Sequence, residues 1–173
     1  MITPEPNFLV SPAVMELIYE LGPRTHAGTA TVMSARVERP LEWLIQAQMP
    51  NLSNRMKPRM FEGYGSLSSF AAKIDFAFAL GFIDADLSRS LHAIREIRNE
   101  FAHADEDIHF HHPRLLKLVE KLPNRGKKDP FAAFLDECTT CATALGAQLE
   151  RVNRNKIRRS RRASRAASLQ KSA

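Results

Sequence analysis

Two helical stretches of this chain are separated by only four residues, Gly81-Phe82-Ile83-Asp84, and that joint narrows the choice of folds more than any other feature. Upstream, Leu67, Phe70, Ala71, Ile74, Ala77 and Phe78 recur at the spacing of one helical face. Ser66 is placed to cap that helix. Gly81 is placed to end it in the left-handed conformation, with Phe82 packing back onto it. Downstream, Asp84 is placed to cap a helix running to about Ala102, with Leu87, Leu91, Ile94, Ile97 and Phe101 on one face. A joint this short has no length for a crossover, so the two helices must lie side by side and antiparallel.

Helical spacing recurs through the rest of the chain, and strand alternation is scarce. A short helix is predicted over 11–21, with Ser11 capping, Pro12 at its first position and Gly22-Pro23 ending it. A long one follows over 25–48, with Val32, Val37, Leu41, Leu44 and Ile45 in its pattern and Trp43 alongside. Pro40 is expected to kink or split it. Residues 50–64 read as a basic, Met-rich loop with about one turn of helix. Pro113 opens a short helix to 121. Asp129 caps a last one, with Phe131, Phe134, Leu135, Ala142, Leu145 and Leu149 inward. The expected fold is an all-α, up-and-down bundle of about five to six helices in a single domain over 1–150.

The net charge of +6 conceals a division. From Arg151 onward there are nine Lys/Arg and no Asp/Glu, whereas the first 150 residues hold 16 Lys/Arg and 19 Asp/Glu and carry −3. The body is mildly acidic, and residues 151–173 form a basic, flexible tail that is expected to extend the last helix by some turns and then fray. Arg151, Arg154, Lys156, Arg158, Arg159, Arg161, Arg162 and Arg165 are its candidate nucleic-acid contacts. No apolar run is long enough for a transmembrane helix. The acidic, proline-broken start is unlike a signal peptide, and two cysteines suit a reducing cytoplasm. A cytoplasmic protein away from membranes is expected.

The helix from Asp84 carries the one pattern that exceeds plain core. His92, Glu96, Asn99 and His103 share the face opposite its leucines and isoleucines, while Arg98 falls within the apolar face. An arginine there must snorkel, pair with a carboxylate or line a polar pocket. A guanidinium can hold a phosphate in a fork, and a histidine passes protons near neutral pH. Arg98, Asn99 and His103 are therefore the candidate catalytic residues for metal-independent RNA cleavage, in which the ribose 2′-OH is the nucleophile. The blander alternative is an arginine that anchors a neighbouring helix.

The segment Phe61-Glu-Gly-Tyr-Gly-Ser-Leu-Ser-Ser-Phe-Ala-Ala-Lys-Ile-Asp-Phe-Ala-Phe-Ala-Leu-Gly-Phe-Ile-Asp84 resembles the mannitol operon repressor family, with its Leu-x-Ser-Phe-x-x-Lys-Ile helix and Ala-Leu-Gly turn. Leu91-His-Ala-Ile-Arg-Glu-Ile-Arg-Asn-Glu-Phe-Ala-His103 resembles that family's most distinctive block. The likeness runs from about Thr29 to Arg151. It implies an all-α transcription regulator acting through protein partners or nucleic acid, without a helix-turn-helix. The same block resembles the HEPN superfamily (higher eukaryotes and prokaryotes nucleotide-binding), whose ribonucleases carry Arg, a polar neighbour and His. That resemblance maps onto Arg98, Asn99 and His103. It implies a homodimer with two motifs facing one cleft, or a degenerate scaffold on which Arg98 is structural. The family tends to have two acids before the proline where this chain has His111 and His112. Glu96, Glu100 and Asp105 are then left as partners for Arg98.

The remaining motifs point to ordinary roles. Cys138-Thr-Thr-Cys141 lies mid-helix and lacks a redox context. His103, His109, His111 and His112 lack a completing carboxylate or cysteine at metal-ligand spacing, and Gly63-Tyr-Gly65 reads as a tight turn. No metal and no cofactor is expected.

Overall fold

The computed structural model describes residues 26–106, 108–123 and 129–170; for 162–170 only the backbone is considered. The expected helix at 11–21 lies outside the described residues. Those described form six helices and no strand. They are α1 (His26–Gln48), α2 (Met56–Phe61), α3 (Phe70–Ala79), α4 (Ala85–His103), α5 (Pro113–Val119) and α6 (Pro130–Gln170). The all-α helical bundle expected from periodicity is what the chain forms.

α1 and α6 share the longest interface, and α4 packs against both as well as against α3 and α5. Their shared core is Val37, Leu41, Leu44 and Ile45 from α1, Leu91, Ile94 and Ile97 from α4, and Phe134, Leu135, Leu145 and Leu149 from α6. Each of these burials contributes about 1.5–3 kcal/mol by removing a large apolar side chain from water. All six α6 residues expected inward are buried.

Pro40 does not split α1. It is buried amid Val37, Leu41 and Leu44, and that packing offsets the one backbone hydrogen bond a proline removes. Val32, expected inward, is 52% exposed. At ~100° per residue it lies across the helix from the line Ala30, Met33, Val37 and Leu41, which makes the contact.

The joint between α3 and α4 has the expected form. Gly81 adopts φ +68°. Its N–H donates to Phe78 O at 2.9 Å, and Phe82 N–H donates to Ala77 O at 2.8 Å. Phe82 packs edge-on against Phe76, completing the hydrophobic contact of this helix ending. Asp84 then caps α4, its carboxylate accepting Leu87 N–H at 2.8 Å.

α3 starts later than expected. Leu67 N–H donates to Met60 O at 2.8 Å, so Ser66 lies in a turn and Ser69 is the cap, its Oγ accepting Ala72 N–H at 3.1 Å. The buried face of α3 is also rotated. Lys73 is buried beside Phe70, Ile74 and Ala77, while Phe78, expected inward, is 48% exposed.

Candidate functional site

The last turns of α4 keep Ile97 and Phe101 in the core and carry Arg98, Asn99 and His103 on their less buried sides. Arg98 is half-buried, and its Nη1 donates to Asn99 Oδ1 over a long 3.4 Å. Two of the three acids expected to neutralise it are engaged elsewhere. Glu96 holds Lys121 at 2.7 Å, and Glu100 faces Arg114 at 3.7 Å. Among the described residues Arg98 has no carboxylate partner. His103 is the last residue of α4 and is exposed.

Of the polar face His92, Glu96, Asn99 and His103, the first two are occupied. His92 Nε2 sits 3.1 Å from Asp75 Oδ1, and Glu96 is held by Lys121. The open half is the pair Asn99 and His103, one turn apart. Arg98 precedes His103 by five residues, which is about 140° around the helix. One copy of α4 therefore presents Arg98 and His103 to different sides of the helix.

The histidines after α4 do not converge on a metal. No group of three or more His, Cys, Asp or Glu side chains is arranged to hold an ion among the described residues. His111 pairs with Asp129 at 2.9 Å, and His112 caps α5 while facing Glu106 at 3.7 Å. His26, which sequence reasoning missed, joins an aromatic cluster. It stacks on Phe131 at 4.8 Å and meets Phe110 edge-on at 5.4 Å, and its Nδ1 accepts Phe110 N–H at 3.3 Å. Burial lowers its pKa from 6.5, with His109 and His111 adding to the shift and Asp129 opposing it.

A second missed group lies between α1 and α3. Lys73 Nζ contacts Glu38 Oε1 and Glu42 Oε2, each at 2.7 Å, and Glu42 also accepts from Gln46 Nε2 at 3.0 Å. Burial alone would lower the Lys73 pKa, but the two carboxylates outweigh it and raise it above 10.5. The signal available in sequence was the i, i+4 spacing of Glu38 and Glu42 beside the apolar positions Val37 and Leu41.

Cys138 and Cys141 are both buried. Burial pushes both thiols up, with the neighbouring Glu137 adding to the effect, so neither is an available nucleophile at neutral pH. Gly63 takes φ +54°, and a Cβ on Gly65 would run into the Met60 carbonyl. Those two glycines serve a tight turn.

The basic segment continues a helix. α6 is 41 residues long and passes residue 150 without a break. Arginine and alanine are strong helix formers, and Glu150 sits i, i+4 from Arg154 at 3.2 Å. Beyond Val152 and Asn153, which are partly covered, residues 154–161 are all exposed. Arg151, Arg154, Lys156, Arg158, Arg159 and Arg161 thus stand on a helix that no other described residue covers. Arg162 and Arg165 continue along the same helix.

No family model matches the chain, nor does any curated protein or solved structure. No helix among the described residues is long and apolar enough to cross a membrane.

Proposed function

We propose that this chain is a regulatory nucleic-acid-binding protein of the mannitol operon repressor type, working as a homodimer in the cytoplasm. Its acidic helical body offers the partner surfaces, and the basic end of α6 holds nucleic acid. The observation that carries the reading is the exposed helix beyond Glu150, with nine Lys/Arg and no acid from Arg151 onward. Phosphates attract such an arm without regard to sequence. The test is fluorescence anisotropy of a labelled duplex with the full chain and with a chain ending at Glu150, circular dichroism confirming that the body stays folded. The full chain should bind and the shortened chain should not. Equal affinity would remove the helix from the account.

The accessibility of Arg98 and His103 favours a second reading, a ribonuclease of HEPN type. His103 would take the proton from the ribose 2′-OH, whose oxygen attacks phosphorus while the bond to the 5′ oxygen breaks. Arg98 would hold the charged phosphoryl oxygens, and Asn99 would orient the reacting groups. The products would be a 2′,3′-cyclic phosphate and a free 5′-OH, the leaving oxygen taking its proton from water. Incubation with an RNA pool in EDTA, alongside His103→Ala, separates the readings. Cleavage that the variant lacks makes the chain an enzyme, and no cleavage by either leaves a binding protein.

A further inference from the structure

The nucleic-acid reading does not say which polymer the helix fits, and its geometry narrows that choice. Residues 151–170 are about 30 Å of continuous helix, ~10–12 Å across with side chains. At ~100° per residue, Arg151, Asn155 and Arg158 lie along one line of the circumference. Arg154 and Arg161 flank that line on one side, and Arg159 and Lys156 on the other. The remaining arc carries Asn153, Ile157 and Ser160, with no charge.

Three partners can be compared with this pattern. Single strands are gripped by stacking bases on aromatic rings, and no Phe, Tyr or Trp follows Phe134. Duplex RNA has a deep, narrow major groove that side chains cannot read. The major groove of B-form DNA is ~12 Å wide and admits a helix. A helix lying there needs cations on both flanks, toward the two phosphate walls, and hydrogen-bonding side chains between them. The uncharged arc then faces water. The body, at −3 over its 150 residues, adds no competing attraction.

We infer that α6 beyond Glu150 lies in the major groove of duplex DNA. Arg151, Asn155 and Arg158 face the base edges. Arg154 and Arg161 reach the phosphates of one wall, and Arg159 and Lys156 those of the other. The inference rests on the nucleic-acid reading above.

The test uses the full chain with four probes: a duplex DNA, the duplex RNA of the same sequence, one DNA strand alone, and vesicles of phosphatidylserine and phosphatidylcholine. Affinities are read at one salt concentration, and guanine N7 methylation of the DNA is read with and without protein. An Ile157→Pro variant keeps every Lys and Arg but interrupts the helix between Asn155 and Arg158, and its thermal transition reports on the body. Duplex DNA should bind at least ~10-fold tighter than the other three, of the order by which a few lost base-edge contacts weaken a site. Guanine N7 should be protected, and Ile157→Pro should abolish the preference. Equal or tighter binding of RNA, single strand or vesicles overturns the inference, as does unprotected N7 or an undiminished preference in Ile157→Pro. Those outcomes leave the broader reading standing when a nucleic acid still binds. Binding to none of the three nucleic acids overturns both.

Discussion

Lys73 reaches from α3 to the Glu38 carboxylate of α1 at 2.7 Å, with 5% of its side chain exposed. Glu42 meets the same ammonium, so one buried cation joins two helices. Removing one partner of a buried pair leaves the other charge uncompensated. Lys73→Met should therefore cost about 3 kcal/mol in urea unfolding, the low end of the range because Glu38 and Glu42 keep some water. The group also sets a pH dependence. Its folded pKa is raised above 10.5, so its stabilisation is complete below 10.5 and is lost as pH rises through the folded value. Wild type should lose stability in that alkaline window, and Lys73→Met should not show the same loss. A parallel alkaline loss in the variant would place the effect elsewhere.

His26 sets the acid side. Its pKa is lowered, first by burial and then by His109. The unfolded chain then binds the proton more readily, so stability is full above 6.5 and declines as pH falls below it. His26→Phe retains the ring against Phe131 and removes both the titration and the acceptor for Phe110 N–H. At pH 8 the variant should be destabilised by about 1 kcal/mol for the lost hydrogen bond. Its melting temperature should change less than that of wild type between pH 7 and pH 5. An equal change in both proteins would exclude His26 as the source.

Two glycines are required for different reasons, and alanine separates them. At Gly81 an added Cβ meets nothing within 4 Å, so Gly81→Ala should cost only the left-handed strain, about 1 kcal/mol. At Gly65 the Cβ would collide with the Met60 carbonyl, whose oxygen also accepts Leu67 N–H. Gly65→Ala should cost more, because the turn itself must move. Thermal melts of the two variants check the order, and a milder Gly65→Ala would contradict it.

Glu137 is buried, and its Oε2 has no hydrogen-bond partner among the described residues, while Oε1 accepts from the Cys141 thiol at 3.7 Å. An unsatisfied buried oxygen costs about 1–3 kcal/mol. Glu137→Met fills a similar volume without that oxygen and should raise the melting temperature. A lowered one would mean that the carboxylate has a stabilising role that its contacts do not reveal.

Local chemistry made much of this fold legible. The αL glycine at 81, the caps at Asp84 and Asp129 and the inward face of α6 all depend on residues within a few positions of one another. What was not legible depends on distant partners. Lys73 is buried only because Glu38 and Glu42, more than thirty residues earlier, meet it, and its burial turns Phe78 outward. Ser66 loses the cap to Ser69 because the Met60 carbonyl takes Leu67 N–H. For the candidate site, charge counting alone marks Arg151 to Arg165. That they extend the last helix by some turns follows from the sequence as well; that the helix runs to Gln170 emerges only from the backbone. The freedom of Arg98 likewise depends on Lys121 and Arg114 taking Glu96 and Glu100.

The most direct test of the central claim is the salt dependence of duplex binding by the full chain and by a variant with Arg154, Lys156, Arg159 and Arg161 replaced by glutamine. Each phosphate contact contributes about −0.9 to the slope of log Kobs against log salt. The account predicts a slope of about −4 or steeper for the full chain and one shallower by about 3–4 for the variant. Equal slopes in the two proteins would contradict it.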